Sequence, residues 1–106
     1  MKRVVFDPDA REEFNAAIDW YERHVSGLGA RFLLAVEAAI SSIRERPLAW
    51  SHVPAVPRRV GARRKLVHEF PYAVVCIILD AEIHVLAIAH GRRRPGYWRR
   101  RPIRRR

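Results

Sequence analysis

The side chains with the most chemical potential lie in one short segment, His90–Trp98. It holds one imidazole, three guanidinium groups, a phenol and an indole, and it is interrupted by Gly91, Pro95 and Gly96. Guanidinium groups match the geometry of phosphate and carboxylate oxygens, and aromatic faces stack on bases or pack against the side chains of a partner. The segment therefore suits the recognition of an anionic molecule.

A second basic segment, Arg58–Lys65, comes just before the first of three predicted strands in the second half of the chain. Because the ends of neighbouring antiparallel strands lie close together, we expect the two segments to share one face of a sheet. Trp98 has an alternative role as a core side chain, and His90 as a hydrogen-bonded residue at a strand end. The residues predicted to bind a target or a nucleic acid are Arg58, Arg59, Arg63, Arg64, Lys65, Arg92, Arg93, Arg94 and Trp98.

The charge of the 106-residue chain is concentrated in its second half. Residues 1–57 carry seven Lys or Arg against eight Asp or Glu, whereas residues 58–106 carry fourteen against three, which gives net charges of −1 and +11. Such one-sided charge favours anionic partners. Arg outnumbers Lys by 19 to 2, so a coding bias toward arginine is an alternative source of the Arg99–Arg106 tail, although it does not explain the neutral first half.

One catalytic reaction fits these residues, the cleavage of RNA by its own 2′-hydroxyl. That reaction needs a base, cations for the charge at phosphorus, and an acid for the leaving oxygen. His90 or Glu69 would be the base, and Tyr97 or His90 the acid. Arg92 and a guanidinium from Arg58–Lys65 would hold the phosphate. The candidate catalytic residues of a nuclease are therefore His90, Arg92 and Tyr97, and the sequence has no Gly-rich phosphate loop, His-Glu-x-x-His or Gly-x-Ser-x-Gly motif.

Composition excludes several other classes of protein. The single cysteine, Cys76, can form neither an internal disulfide nor a cysteine-based zinc site. The longest apolar run, Ala73–Leu79, has seven residues, far short of the ~20 that a membrane-spanning helix needs. The N-terminal apolar stretch is too short for a signal peptide, so we expect a cytoplasmic protein without a membrane partner. We predict neither a metal nor a cofactor.

The elements that must position these residues follow two hydrophobic periods. Apolar residues recur at steps of three and four through the first half, which predicts an antiparallel pair of amphipathic helices. The second half is apolar in short runs, which predicts strands, and the central run is apolar on both faces. The predicted order is a strand at residues 2–6, a helix of roughly 17 residues from Pro8 with Asp7 as its N-cap, a helix from Leu28 to near Arg46, a loop at 47–62, and strands at about 62–70, 72–80 and 82–90.

The fold class predicted from this order is α+β, with an N-terminal strand, an antiparallel helical hairpin and a three-stranded antiparallel meander in one sheet. We expect His90 at the point where the last strand runs out into Gly91. Strict alternation in that strand predicts two faces, one with Ile83, Val85, Ala87 and Ala89, the other with His84, Leu86, Ile88 and His90.

This layout and several sequence phrases resemble the RelE/ParE toxin superfamily of type II toxin–antitoxin modules, of the plasmid-stabilisation type. The phrases fall in the family's order over about residues 2–98, nearly the whole chain, and the last is the most specific. They are Ile18-Asp19-Trp20-Tyr21-Glu22, Arg31-Phe32, Phe70-Pro71-Tyr72, and Ala87-Ile88-Ala89-His90 followed by Arg93, Pro95 and Tyr97-Trp98.

The resemblance implies a growth-arresting toxin that a cognate antitoxin holds inactive in a hetero-oligomer, through an acidic or amphipathic C-terminal segment. RelE-like members cut messenger RNA on the ribosome, using basic residues and usually a C-terminal tyrosine or histidine. ParE-like members bind DNA gyrase and have no nuclease site. The long hairpin helices, the last two phrases and the near absence of lysine favour the ParE-like group.

Two alternatives stay open beside the gyrase hypothesis. One is the ribosome-dependent endoribonuclease, because Arg92 and Tyr97 fall close to where the RelE-like site has its arginine and terminal aromatic residue. The other is a plain nucleic-acid-binding domain with a basic tail. The resemblance covers a single domain at residues 1–98 and gives the arginine-rich tail at 99–106 no family role.

Overall fold

A mixed four-stranded sheet packed against a helical hairpin forms the fold. The computed structural model describes residues 2–101. The predicted α+β class and order of elements are confirmed. The elements are β1 Arg3–Phe6, α1 Pro8–His24, α2 Leu28–Glu45, a 3₁₀ turn at Arg58–Val60, β2 Ala62–Leu66, β3 Tyr72–Ile78 and β4 Glu82–His90.

The strands lie in the order β1–β4–β3–β2. β2, β3 and β4 form the antiparallel meander, and β1 runs parallel to β4 with Phe6 opposite Val85. Because β1 has only four residues, its pairing covers β4 from Glu82 to Val85. Within residues 2–101, the second half of β4 has no strand beside it on that edge.

α1 begins where the sequence predicts. Asp7 has an extended backbone, its carboxylate accepts a hydrogen bond from the Asp9 N–H at 2.9 Å, and Pro8 is the first helical residue. Proline suits this position because its φ is already helical and the first N–H groups of a helix have no helical partner. The chain therefore passes from β1 to α1 through one capping residue.

The turn between the helices depends on glycine and on Glu22. Gly27 has a φ of 88°, in the left-handed region. The Glu22 carboxylate accepts hydrogen bonds from the N–H groups of Gly27 and Gly29 at 2.9–3.1 Å, and so satisfies donors that the start of α2 leaves unpaired. A Cβ at Gly29 would lie 2.7 Å from the carbonyl oxygen of Ile18, so the two helices meet at this glycine.

The sheet has a hydrophobic core on each face. On the helix face, α1 and α2 pack on β3 and β4, and the rings of Tyr21, Phe32, Phe70 and Tyr72 touch at centroid distances of 4.9–6.3 Å. On the opposite face, side chains of the loop at residues 47–61 and Trp98 cover the sheet. Neither helix in the described range is long and apolar enough to cross a membrane.

The predicted extent of the first meander strand is wrong. β2 ends at Leu66 rather than near residue 70. The reason is a turn at residues 67–72, in which Val67 N–H donates to the Tyr72 carbonyl and Glu69 takes a φ of 69°. The turn brings Phe70 and Tyr72 onto the helix-face core.

The predicted alternation of the last strand is also wrong beyond Leu86. Pairing between β3 and β4 shifts by one residue, since Cys76 is opposite Val85 but Val75 is opposite Ala87. Leu86 and Ala87 therefore both face the core opposite the helices, and Ile88 returns to the helix face. A β-bulge of this kind inserts an extra residue into one strand and reverses the alternation after it.

Candidate binding site

The structure divides the Arg58–Lys65 segment between the two faces of the sheet. Arg64 lies on the face opposite the helices, in register with a residue of that core. Arg63 lies on the other face, where its guanidinium donates to carbonyl oxygens of the loop after α2, that of Trp50 at 2.7 Å. Lys65 also turns to this loop, with its ammonium 4.4 Å from the Trp50 ring centroid. The expectation that the whole segment shares one face with His90–Trp98 is therefore wrong for Arg63 and Lys65.

Arg64 nevertheless meets the second basic segment in a groove on the face opposite the helices, which we name the sheet-face groove. Its volume is about 330 Å³, and most of its lining residues are apolar. Arg64 of β2, His90 at the end of β4 and Arg93 just beyond it are its basic lining residues. Val75, Ala89 and Trp98 are among its remaining lining residues.

A second groove, of about 580 Å³, lies between α1 and the end of β4, and we name it the helix-side groove. Trp20 and Tyr21 line it from α1, and Ile88 and Tyr97 line it from β4 and the segment that follows. The two grooves adjoin, because they share the lining residues Pro71, Tyr72, His90 and Arg93.

Four other predicted binding residues lie outside both grooves. Arg58 and Arg59 are exposed in the 3₁₀ turn, and Arg92 and Arg94 are exposed on either side of Arg93. Of the predicted basic residues, the two grooves bring together Arg64 and Arg93, whereas Arg58 and Arg63 line a separate pocket at the loop after α2.

His90 is held at the end of β4 by two contacts. Its Nδ1 atom lies 3.0 Å from the backbone N of Arg92 and accepts that N–H, and its ring meets the edge of Tyr72 at a centroid distance of 5.0 Å. An acceptor at Nδ1 leaves the proton of a neutral imidazole on Nε2. In this state, the free ring nitrogen is a donor and not a base.

Tyr97 is half-buried, and its hydroxyl is committed to another side chain. The hydroxyl donates to the carboxylate of Glu13 at 2.6 Å, and the guanidinium of Arg93 lies 3.9 Å from the ring centroid. Burial, together with the hydrogen bond to Glu13, raises the pKa of Tyr97 above its ordinary value. A phenol held in this way is a poor proton donor for a leaving oxygen.

Glu13 is a residue that the sequence reasoning missed. Its carboxylate accepts hydrogen bonds from the Tyr97 hydroxyl, the Arg101 guanidinium and the Ile88 N–H. The sequence does indicate that Glu13 faces the interior, because it falls three residues after Ala10 and four before Ala17, on the buried stripe of α1. An acidic residue near the start of a helix is also explained by its favourable interaction with the helix dipole. The sequence alone therefore does not predict a partner for Glu13.

Glu13 and Arg101 also complete the edge of β4 where β1 ends. Glu13 accepts from the Ile88 N–H at 3.1 Å, and the Arg101 guanidinium donates to the Leu86 carbonyl at 2.9 Å. Unpaired backbone groups at a buried edge are costly, so side chains here take the place of a missing strand. The C-terminal segment is thereby tied to both α1 and β4.

The structure packs both Trp98 and Arg101 against the domain. Trp98 is 2% exposed and belongs to the core opposite the helices, so its ring is a packing side chain and not a docking surface. Arg101, predicted to lie in the tail at 99–106, is bound to Glu13 and lies within 3.7 Å of the Asp9 carboxylate. The rest of the predicted tail, residues 102–106, lies outside the described residues.

The grooves offer no cluster of metal ligands. In the part of the chain that the structure describes, no three His, Cys, Asp or Glu side chains come together in a way that could hold a metal ion. The polar groups at the grooves are guanidinium groups, an imidazole, tyrosine hydroxyls and the Glu13 carboxylate, set among apolar side chains.

Comparison with known proteins agrees with this architecture. The sequence model of the family described as ParE toxin of type II toxin-antitoxin system, parDE, matches residues 4–95. The chain belongs to the ParE toxin family. A solved structure described as the chromosomal ParDE TA system from P. aeruginosa has the same fold, with a TM-score of 0.68 at 17% identity, and the alignment covers 85% of this chain and 96% of that one. No curated protein matches the sequence.

The ParE family match confirms the resemblance seen in the sequence phrases. Its range includes some residues of the site and not others. The residues shared by the two grooves fall within residues 4–95. Tyr97, Trp98 and Arg101 lie beyond that range.

Proposed function

We propose that this chain is the growth-arresting toxin of a type II toxin–antitoxin module, and that it acts by binding DNA gyrase and blocking replication rather than by cutting RNA. Membership of the ParE toxin family supports the toxin role, and gyrase is the target that the ParE-like resemblance implies. A cognate antitoxin would hold the toxin inactive in a hetero-oligomer.

The observation that carries the choice against RNA cleavage is the hydrogen bond from Tyr97 to Glu13. A general acid must reach the leaving oxygen with a proton that it gives up readily. The Tyr97 hydroxyl donates instead to a carboxylate inside the protein, and its pKa is raised by burial and by that carboxylate. This argues against Tyr97 as the acid of a nuclease.

His90 and Arg92 give further support. The His90 Nδ1 atom already accepts the Arg92 N–H, which argues against His90 as the base of a nuclease. The Arg92 side chain is exposed and lines neither groove, so it is better suited to contact a protein surface than to clamp a phosphate beside His90. The exposed cations proposed to contact the target are Arg58, Arg59, Arg92 and Arg94.

Two assays in parallel test this proposal. The purified chain is added to a gyrase supercoiling reaction and to ribosomes programmed with messenger RNA. We expect inhibition of gyrase, weakened by the double substitution Arg92→Ala and Arg94→Ala but not by Arg23→Ala, which removes an exposed cation from α1. The message should stay intact.

Other results of these two assays would support one of the two alternative functions. Cleavage of ribosome-bound message without inhibition of gyrase would identify a ribosome-dependent endoribonuclease. Activity in neither assay, with DNA affinity that falls by about 0.9 log units per log unit of salt for each neutralised phosphate, would identify a plain nucleic-acid-binding domain.

A further inference from the structure

A further cavity lies at the loop after α2, and we name it the loop pocket. Its volume is about 560 Å³, and its basic lining residues are His52, Arg58 and Arg63. None of these three residues lines the sheet-face groove or the helix-side groove. The loop pocket therefore has its own set of positively charged and hydrogen-bonding groups.

Backbone pairing places His52 beside Arg63. The two residues form an antiparallel bridge, in which the Arg64 N–H donates to the Ser51 carbonyl at 2.9 Å. Because the flanking residues make the hydrogen bonds, His52 and Arg63 are a non-hydrogen-bonded pair, the kind whose side chains lie on one face and closest together. The edge of β2 thus sets an imidazole next to a guanidinium group.

The guanidinium group of Arg63 is held in place and still has donors to spare. Its Nη1 atom donates to the carbonyl oxygens of Leu48 and Trp50, at 3.3 and 2.7 Å. Its Nε and Nη2 atoms have no acceptor among residues 2–101. Because a guanidinium group carries five N–H donors in one plane, the remaining edge of this group can bind an anion without first becoming ordered.

Arg58 reaches the same pocket from the 3₁₀ turn that leads into β2. Gly61 ends this turn with a φ of 76°, and its N–H donates to the Arg58 carbonyl at 2.9 Å. Burial lowers the pKa of His52, and the charges of Arg63 and Arg58 lower it further. Both guanidinium charges therefore act on this imidazole, which is neutral at neutral pH and offers one N–H.

The positive charge of the loop pocket has no counter-charge in the described part of the chain. No Asp or Glu lines the pocket, and neither Arg58 nor Arg63 forms an ion pair with a carboxylate of residues 2–101. Two like charges that face one cavity repel each other, and an anion between them removes this cost. The pocket therefore favours an anionic ligand.

The groups of the pocket match a phosphate monoester better than other anions. A monoester carries about 1.5–2 negative charges at neutral pH and three acceptor oxygens, against two guanidinium groups and one imidazole N–H. A phosphodiester of a nucleic-acid backbone carries a single charge, and a carboxylate has a single charge and two oxygens. Leu48, Val53 and Val56 also line the pocket and leave an apolar surface for the organic part of the ligand.

We propose that the loop pocket binds the phosphate group of a small phosphomonoester, and that Arg58, Arg63 and His52 hold this group. The proposal does not rest on the toxin function. A bound phosphate joins the 3₁₀ turn to β2, so binding also raises the temperature of unfolding.

Calorimetric titration of the purified full chain with adenosine 5′-monophosphate tests the proposal. Three related probes are compared with it: adenosine, which has no phosphate, adenosine 3′,5′-cyclic monophosphate, which is a phosphodiester, and inorganic phosphate. We expect the 5′-monophosphate to bind at least about tenfold more tightly than the cyclic diester, and adenosine not to bind. Equal affinity for inorganic phosphate would support the site and identify free phosphate as its ligand.

Arg58→Ala should weaken the binding of adenosine 5′-monophosphate by at least about tenfold. The control is Arg46→Ala, which removes an exposed positive charge from a neighbouring cavity that shares Leu48 and Ala49 with the loop pocket. This control should change the affinity by less than about twofold, because an exposed charge outside the pocket is screened by solvent and salt. Thermal unfolding verifies that both variants are folded.

Three results would overturn the proposal: no binding of either monophosphate or inorganic phosphate at millimolar concentration, equal affinity for the monoester and the cyclic diester, or equal losses in Arg58→Ala and Arg46→Ala. A single-stranded oligonucleotide with a 5′-hydroxyl end, whose phosphates are all diesters, is added as a competitor. Its displacement of the monophosphate would assign the pocket to nucleic acid instead. None of these results depends on gyrase inhibition or growth arrest.

Discussion

At the scale of the residue, the Glu13 carboxylate holds the last described residues of the chain against the fold. The Glu13 and Arg101 side chains are 18% and 15% exposed, and their bidentate contact at 2.9 Å is shielded from most of the solvent. Removing one member of a pair in this position leaves a shielded charge unpaired, which costs more than the loss of a surface ion pair. Glu13 therefore acts as the anchor of residues 97–101.

Glu13→Ala should lower the free energy of unfolding by about 3 kcal/mol, because it leaves Arg101, the Tyr97 hydroxyl and the Ile88 N–H without their acceptor. The control is Glu12→Ala, at an exposed neighbour on the same helix, which should change stability by less than about 0.5 kcal/mol. Urea unfolding of both variants measures the difference. Equal losses would refute the anchoring role.

The raised pKa of Tyr97 makes its contribution to stability depend on pH. The folded state holds the phenolic proton more tightly than the unfolded chain, so the stabilisation is complete below the ordinary pKa of about 10 and is lost as the pH rises toward the folded-state value. We expect wild type to exceed Tyr97→Phe by about 1.5 kcal/mol at neutral pH.

Above about pH 10, that advantage should shrink by about 1.4 kcal/mol per pH unit. The comparison with Tyr97→Phe cancels the effects of Tyr21 and Tyr72, whose pKa values are also raised by burial. Urea unfolding of both proteins over this pH range is the measurement. A constant difference would show that the Tyr97 hydroxyl is not held as described.

At the scale of the element, the helical hairpin depends on the contact at Gly29. Alanine is normally the better residue in a helix, by about 1 kcal/mol over glycine. At Gly29, however, the added Cβ would lie 2.7 Å from the Ile18 carbonyl oxygen, so Gly29→Ala should instead destabilise the protein by about 1–3 kcal/mol.

A matched substitution is available at Gly91, which has ordinary room for a Cβ, with the Pro71 carbonyl oxygen at 3.5 Å. Gly91→Ala should change stability by less than about 0.5 kcal/mol. Thermal unfolding of the two variants compares them directly. Stabilisation by Gly29→Ala would mean that the helices do not cross as closely as the structure has them.

The sequence predicted these elements well where the signal is local. Asp7-Pro8 marks the start of α1 and Pro47 lies just beyond α2, so both helices begin and end within one residue of their predicted limits. Hydrophobic alternation cannot reveal a bulge, because Leu86 and Ala87 are both apolar and suit either face. The position of β1 beside β4 is likewise a long-range pairing with no local signal.

The candidate site was less predictable than the fold. Composition identified the arginine-rich segments, but side-chain contacts decide which guanidinium groups are available. Arg63 holds a loop, Arg101 pairs with Glu13, and Arg64 and Arg93 line the sheet-face groove. A run of like residues cannot indicate which of its members will find a partner inside the fold.

At the scale of the whole molecule, the two halves of the chain meet at the candidate site. The neutral first half supplies the helix hairpin with Glu13 and Trp20, and the basic second half supplies the sheet with Arg64 and Arg93. The helices cover one face of the sheet, while the loop at residues 47–61 and Trp98 cover the other. Among the described basic residues of the second half, those that stay exposed lie at the 3₁₀ turn and after the end of β4.

We propose that the molecule as a whole, a ParE-family chain, works by binding and not by catalysis. Growth arrest by Tyr97→Phe tests it most directly, because this change keeps the ring and removes only the hydroxyl. With soluble protein matched to wild type, we expect undiminished growth arrest. Loss of a general acid would instead lower a nuclease activity by ~100-fold or more. A folded, equally abundant Tyr97→Phe protein that no longer arrests growth would contradict the account.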